Sequence, residues 1–88
     1  MTFDINNFRL DGQVAVVTGA GAGIGRAIAS LFAAAGADVV VSDLDGTAAQ
    51  AVADNILDSG GEAAATSCDV TAEADRGRLV KLAAERFG

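Results

Sequence analysis

The stretch "VVTGAGAGIGRAIA", Val16 to Ala29, constrains this chain more than any other. A β-branched run from Gln13 to Val17 meets glycines at positions 19, 21, 23 and 25, then gives way to an alanine-rich helical pattern. Such a run suits a strand buried on both faces of a parallel sheet. Ile24, Ala27, Ile28, Leu31, Phe32 and Ala35 recur at helical spacing, and Gly36 stands where a C-terminal cap belongs. The local reading is strand, glycine turn, helix.

The alternation continues. "ADVVVSD", Ala37 to Asp43, is a second strand, and Leu44-Asp45-Gly46 leads into a helix from about Thr47 to Ser59 that turns Ala48, Val52 and Ile56 inward. Gly60 and Gly61 stop it. A third strand, Glu62 to Cys68, is alanine-rich and weak by propensity, so its place in the pattern supports it. Thr71 can cap a last helix with Glu73 in its positive first turn, and Leu79, Leu82, Ala83 and Phe87 form its buried stripe. The order β-α-β-α-β-α predicts an α/β fold: a parallel sheet with right-handed crossovers, strand order 3-2-1, and flanking helices.

A strand that ends in a glycine turn and feeds a helix presents unpaired N–H groups and a positive dipole end, which together make an anion site. Glycine is needed where side chains would hold a pyrophosphate away from those N–H groups. The G-x-G-x-x-G fingerprint fails here, because its third glycine falls on Ile24 counted from Gly19 and on Arg26 counted from Gly21. A G-x-x-x-x-G-K-[ST] loop fails for want of any Lys-Ser or Lys-Thr pair. What remains is T-G-x-x-x-G-x-G, met by Thr18, Gly19, Gly23 and Gly25, with Gly21 as a further small residue inside the turn, spare to the motif.

A glycine-rich connection that only packs a helix on a strand is the alternative. The second strand argues against it. Asp43 ends that strand about 20 residues past the turn, where a dinucleotide site needs a carboxylate for the adenosine ribose hydroxyls, although an aspartate there also serves as a turn residue. A carboxylate at this place repels a 2′-phosphate, and Leu44 beside it offers no cation, so NAD is favoured over NADP. Arg26, in the first helical turn, could reach a phosphate, although a solvated surface arginine is the plainer reading.

Six lysines and arginines against twelve aspartates and glutamates give a net charge of -6, which argues against nucleic acid or an anionic membrane as partner. No apolar stretch approaches the roughly 18 residues of a membrane span, and Met1 to Leu10 has no apolar run of the secretory kind. The lone Cys68 reads as a small buried residue, and a cytoplasmic location is expected. No metal site is expected either.

With these residues in place, the chain resembles the N-terminal part of the short-chain dehydrogenase/reductase family from Leu10 onward. "RLDGQVAVVTGAGAGIGRAIA", "VVVSDLD" and "CDVT" carry the resemblance together. It implies half of a Rossmann-type domain over residues 1–88, with the cofactor-binding residues Gly19, Gly21, Gly23, Ile24, Gly25, Asp43 and Leu44. It further implies that Asp69 and Val70 contact the adenine, the carboxylate accepting from the exocyclic amino group; a loop aspartate and a core valine are the plainer reading. The implied activity is NAD-dependent interconversion of a secondary alcohol, hydroxysteroids included, and a ketone, by a homo-oligomer. The family's N-N-A-G, its serine and its Tyr-x-x-x-Lys have no counterpart: the sequence has no tyrosine, and its only lysine is Lys81. The expectation is a cofactor-binding half whose catalytic residues lie elsewhere, and which is inactive alone. A non-catalytic dinucleotide-binding module is the competing reading, since fold and cofactor site do not by themselves imply chemistry. An adenosyl-dependent methyltransferase fits less well, because its ligand brings no pyrophosphate.

Overall fold

The computed structural model describes residues 10–69 and 71–87. Six elements follow one another as expected: β1 (Val14–Val17), α1 (Gly23–Ala34), β2 (Asp38–Asp43), α2 (Gly46–Asp58), β3 (Glu62–Ser67) and α3 (Glu73–Phe87). The strands form one parallel sheet in the order β1-β2-β3, which is the expected 3-2-1 read from its other edge. The register pairs Val17 with Val41 and Asp43 with Ser67. All three strands therefore release their chains at one end of the sheet.

Alternation along β2 divides the core between two layers. Val39 and Val41 face Val52, Ala53 and Ile56 of α2 and Ala29 of α1, whereas Val40 faces Leu79 and Ala83 of α3. The strand is buried on both faces, as a near-continuous apolar run requires. At fully buried alanines the α1/α2 layer lies close on the sheet: Ala29, Ala49 and Ala53 have no exposed surface. The inward face of α2 is thus Ala49, Val52, Ala53 and Ile56, and the expected Ala48 is only half-buried, one position off that stripe.

The expected apolar stripe of α1 is corrected more strongly. Gly25, Ala29, Phe32 and Ala33 turn toward the sheet, while Ile24, Ile28 and Leu31 are exposed. Small residues at Gly25 and Ala29 let α1 lie close to β1, so Ile24, Ile28 and Leu31 are left on the outer face. Val14 and Val16 of β1, paired with Asp38 and Val40, are exposed on the α3 side. The helix α1 ends as expected: Gly36, at φ 102°, donates to the Ala33 carbonyl, and Ala37 to that of Phe32. In α3, Leu79 and Ala83 are buried and Leu82 and Phe87 pack half-buried against them, but the hydroxyl of Thr71 donates to Asp69, and Ala72 immediately precedes the helix.

Candidate functional site

The site is assembled where the three strands end. β1 stops at Val17, opposite Val41, two residues before β2 does. The chain then folds over the end of β2: the Ala20 N–H donates to the Ser42 carbonyl at 2.9 Å, and the buried Ser42 hydroxyl donates to the Val17 carbonyl at 3.4 Å. Gly19 and Gly23 adopt φ of 63° and 61°, the left-handed region that L side chains rarely occupy. Where a Cβ would stand on either, nothing lies within 4 Å. Backbone is exposed there to whatever approaches.

Gly21 and Gly25 have the opposite reason to be glycine. A Cβ on Gly25 would fall on the Gly19 carbonyl oxygen and lie 3.0 Å from the Ala20 Cα. One on Gly21 would lie 2.8 Å from the Ala48 Cβ and 2.9 Å from Asp43 Oδ2. Gly21 is therefore not spare. It is the point at which the turn touches both β2 and α2, a contact that motif spacing could not reveal.

Asp43 faces this turn. Its Oδ2 accepts the Gly21 N–H at 2.9 Å and its Oδ1 accepts the Asp45 N–H at 3.0 Å. The Asp45 and Gly21 amides hold its carboxyl below the ordinary value of 3.8, against the smaller opposing effect of burial. The turn-residue reading and the site reading thus describe the same side chain. Leu44, beside it, is 74% exposed.

The start of α1 completes the anion site. Ala22 precedes it in extended conformation with no side-chain cap, and its first turn has no acidic residue. The N–H groups of Gly23, Ile24 and Gly25 precede the first intrahelical bond, from Arg26 to Ala22. By contrast, Asp45 caps α2 by accepting from Thr47 and Ala48, and α3 carries Glu73 and Asp75 in its first turn. Ile24 is exposed at the mouth of the turn, and Arg26 is exposed on the helix.

Asp69 follows β3 on the far side of Asp43, and the two regions are tied by the Cys68 N–H, which donates to the Asp43 carbonyl at 2.9 Å. Thr71 donates to Asp69 Oδ1 through its hydroxyl at 2.6 Å and its N–H at 2.9 Å. These bonds, the hydroxyl foremost, hold the Asp69 carboxyl below 3.8. Cys68 is a buried free thiol, as expected. Val70 lies outside the described residues. The sequence reading missed the part that Ala48 and Ser42 play in supporting the turn, through contacts 22 or more residues apart. Among the described residues no group of His, Cys, Asp or Glu side chains could hold a metal ion, and no helix is long and apolar enough to cross a membrane.

An exposed backbone cradle at an uncapped helix start, with a carboxylate at the neighbouring strand end, defines a dinucleotide-binding α/β unit of the Rossmann type. The family follows from comparison: residues 13–88 match the short chain dehydrogenase family, and the chain belongs to it. It is 50% identical over 86 residues to 7α-hydroxysteroid dehydrogenase of Escherichia coli K12, covering 98% of this chain and 34% of that protein. Cyclohexanol dehydrogenase of Acinetobacter sp. strain SE19 is 42% identical over 80 residues, 91% of this chain and 32% of the relative. A solved structure of 7α-hydroxysteroid dehydrogenase complexed with NADH and 7-oxo glycochenodeoxycholic acid superposes with a TM-score of 0.91 at 49% identity, covering 99% of this chain and 34% of that one. The chain spans about a third of the length of these relatives.

Proposed function

We propose that this chain supplies the NAD-binding half of a short-chain dehydrogenase that interconverts a secondary alcohol, hydroxysteroids included, and a ketone. The observation that carries the reading is the Asp43 carboxylate, half-buried at the end of β2 and hydrogen-bonded to the Gly21 amide of the glycine turn at 2.9 Å. A 2′-phosphate there would meet this negative charge and the neutral Leu44, which supports NAD over NADP.

The other residues take their roles from the same arrangement. Gly19, Gly21, Gly23 and Gly25 would let the pyrophosphate reach the free amides of the α1 start, and Ile24 would pack toward the nicotinamide side. Asp69 would accept from the adenine amino group, with Val70 against the ring, as the family's pattern has it. The cofactor, when bound, supplies the hydride acceptor or donor at its nicotinamide ring. What the residues of this chain do is bind and orient it. The acid–base residues of the reaction belong to a catalytic half outside residues 1–88, and the intact protein is a cytoplasmic homo-oligomer acting on a small molecule.

Calorimetric titration of the intact protein with NAD and NADP tests the reading. Tighter binding of NAD, with the gap closing in Asp43→Ala, is the expected result. An unchanged preference in that variant would refute the ribose role of Asp43.

A further inference from the structure

Three consecutive residues at the end of β3 are each tied down through their backbones, two of them by α3. The Ser67 carbonyl accepts from Arg78 Nη2 at 2.9 Å, the Cys68 N–H donates to the Asp43 carbonyl, and the Asp69 N–H donates to Asp75 Oδ2 at 3.0 Å. Asp75 Oδ1 lies 3.5 Å from Arg78 Nη2, so the two α3 side chains brace one another one helical turn apart. Thr71 orients the Asp69 carboxylate separately, from the other side.

The ion pair itself adds little stability to this arrangement. The Arg78 side chain is 58% exposed and that of Asp75 33%, and ion pairs so placed contribute little. An acid in the first turn of α3 is served by Glu73 as well. What the Asp75–Arg78 pair adds is a fixed position for Asp69, because a hydrogen bond weakens steeply with small errors in distance and angle.

We propose that Asp75 and Arg78 are positioning residues that set the Asp69 carboxylate against the 6-amino group of adenine, and that α3 thereby governs the preference for a 6-aminopurine over a 6-oxopurine dinucleotide. The inference rests on the adenine role of Asp69. A carboxylate accepts from an exocyclic amino group and repels a carbonyl oxygen in its place. A displaced Asp69 loses that discrimination without losing the pyrophosphate site on α1.

The test uses NAD and nicotinamide hypoxanthine dinucleotide, in which the 6-amino group is replaced by a 6-oxo group and N1 carries a proton, titrated calorimetrically into the intact protein. Wild type is expected to favour NAD roughly tenfold, the factor given by one hydrogen bond to a charged acceptor. Asp69→Ala should abolish the preference. Asp75→Ala should cut it to about two- to threefold while affinity for the hypoxanthine dinucleotide stays within about twofold of wild type, as expected for a group that acts on one hydrogen bond only. Asp75→Asn, whose amide oxygen still accepts from the Asp69 N–H, should keep more of it. Arg78→Ala, with an exposed side chain, repeats the test where the aspartate variant is unstable, and should shift the ratio the same way. A preference lost in Asp69→Ala but intact in the Asp75 and Arg78 variants overturns the inference and leaves the adenine reading standing. Equal weakening of both dinucleotides in those variants also overturns it, as a general structural role. A wild type without preference overturns the adenine reading and the inference with it.

Discussion

Asp43 Oδ2 and the Gly21 amide lie 2.9 Å apart, so the last residue of β2 is hydrogen-bonded to the middle of the turn that follows β1. One contact joins the group that would recognise a ribose to the loop that would receive a pyrophosphate. Gly21→Ala would drive a methyl into both Asp43 Oδ2 and Ala48, and should destabilise the protein by about 1–3 kcal/mol, as overpacking does. Paired with Asp43→Asn in a double-mutant cycle, it should show a coupling of roughly 0.5–3 kcal/mol, because the two residues share one bond. Denaturant unfolding of the four proteins measures it, and strict additivity would contradict the linkage.

Glycines at Gly25 and Gly77 should respond to alanine with opposite signs. A Cβ at Gly25 falls on the Gly19 carbonyl, which is backbone and cannot swing away, so Gly25→Ala should cost at least about 1–3 kcal/mol and abolish dinucleotide binding. Gly77 is exposed within α3, with nothing within 4 Å of its Cβ position. Gly77→Ala should stabilise by roughly 0.5–1 kcal/mol, by restricting the unfolded chain. Thermal unfolding compares them directly.

Acid should loosen the site through two carboxylates. Both Asp43 and Asp69 have folded-state values depressed below 3.8, Asp43 chiefly by the Asp45 and Gly21 amides and Asp69 by Thr71. A depressed carboxyl contributes stability that is fully present above its unfolded value and is lost as pH falls through the lower folded one. Stability attributable to these groups should therefore be flat from neutrality down to about pH 4 and decline below it. Unfolding midpoints of wild type and an Asp43→Asn, Asp69→Asn double variant, measured through that range, should converge as pH falls. Parallel curves would count against the assignment.

The outer face of α1 and the open face of β1 should make residues 1–88 adhesive when prepared as a separate polypeptide. Ile24, Ile28, Leu31, Val14 and Val16 are exposed on the two faces. A dye specific for exposed apolar surface should bind, and sedimentation should show concentration-dependent self-association. Ile28→Ser with Leu31→Gln should lower both signals while changing stability by less than about 1 kcal/mol, since exposed positions contribute little to the core. A monomer with no dye binding would contradict this.

Element order, sheet topology and the position of Asp43 were legible in the sequence because each follows from pattern: β-branched runs, glycine stops and the fixed geometry of parallel crossovers, whereas Asp69 was singled out through the family resemblance. The face that α1 turns inward was not. Periodicity ranks residues by size and apolarity, which pointed to Ile24, Ile28 and Leu31, whereas close approach of helix and sheet selected Gly25 and Ala29. Ala49 replaced Ala48 in the core for a related reason, since one alanine cannot be told from the next by hydropathy. Thr71 had the right residue type and place for a cap, but Asp69, two residues back, offered its hydroxyl a charged acceptor at 2.6 Å. The role of Gly21 depended on its contacts with Asp43 and Ala48, which the spacing of the glycines does not encode.

β2 is hydrogen-bonded along both sides and carries Val39, Val40, Val41 and Ser42 with no exposed surface, while β1 is a four-residue strand with two valines open on one face. Local opening free energies should follow that difference, with amide deuterium uptake slowest in β2 and faster in β1 and the turn beyond it. Asp43 hangs on the slow-exchanging strand and the glycines on the fast one. Recognition of the sugar would then be made from a fixed datum, with the phosphate cradle the part that yields when a long, bent ligand slides in.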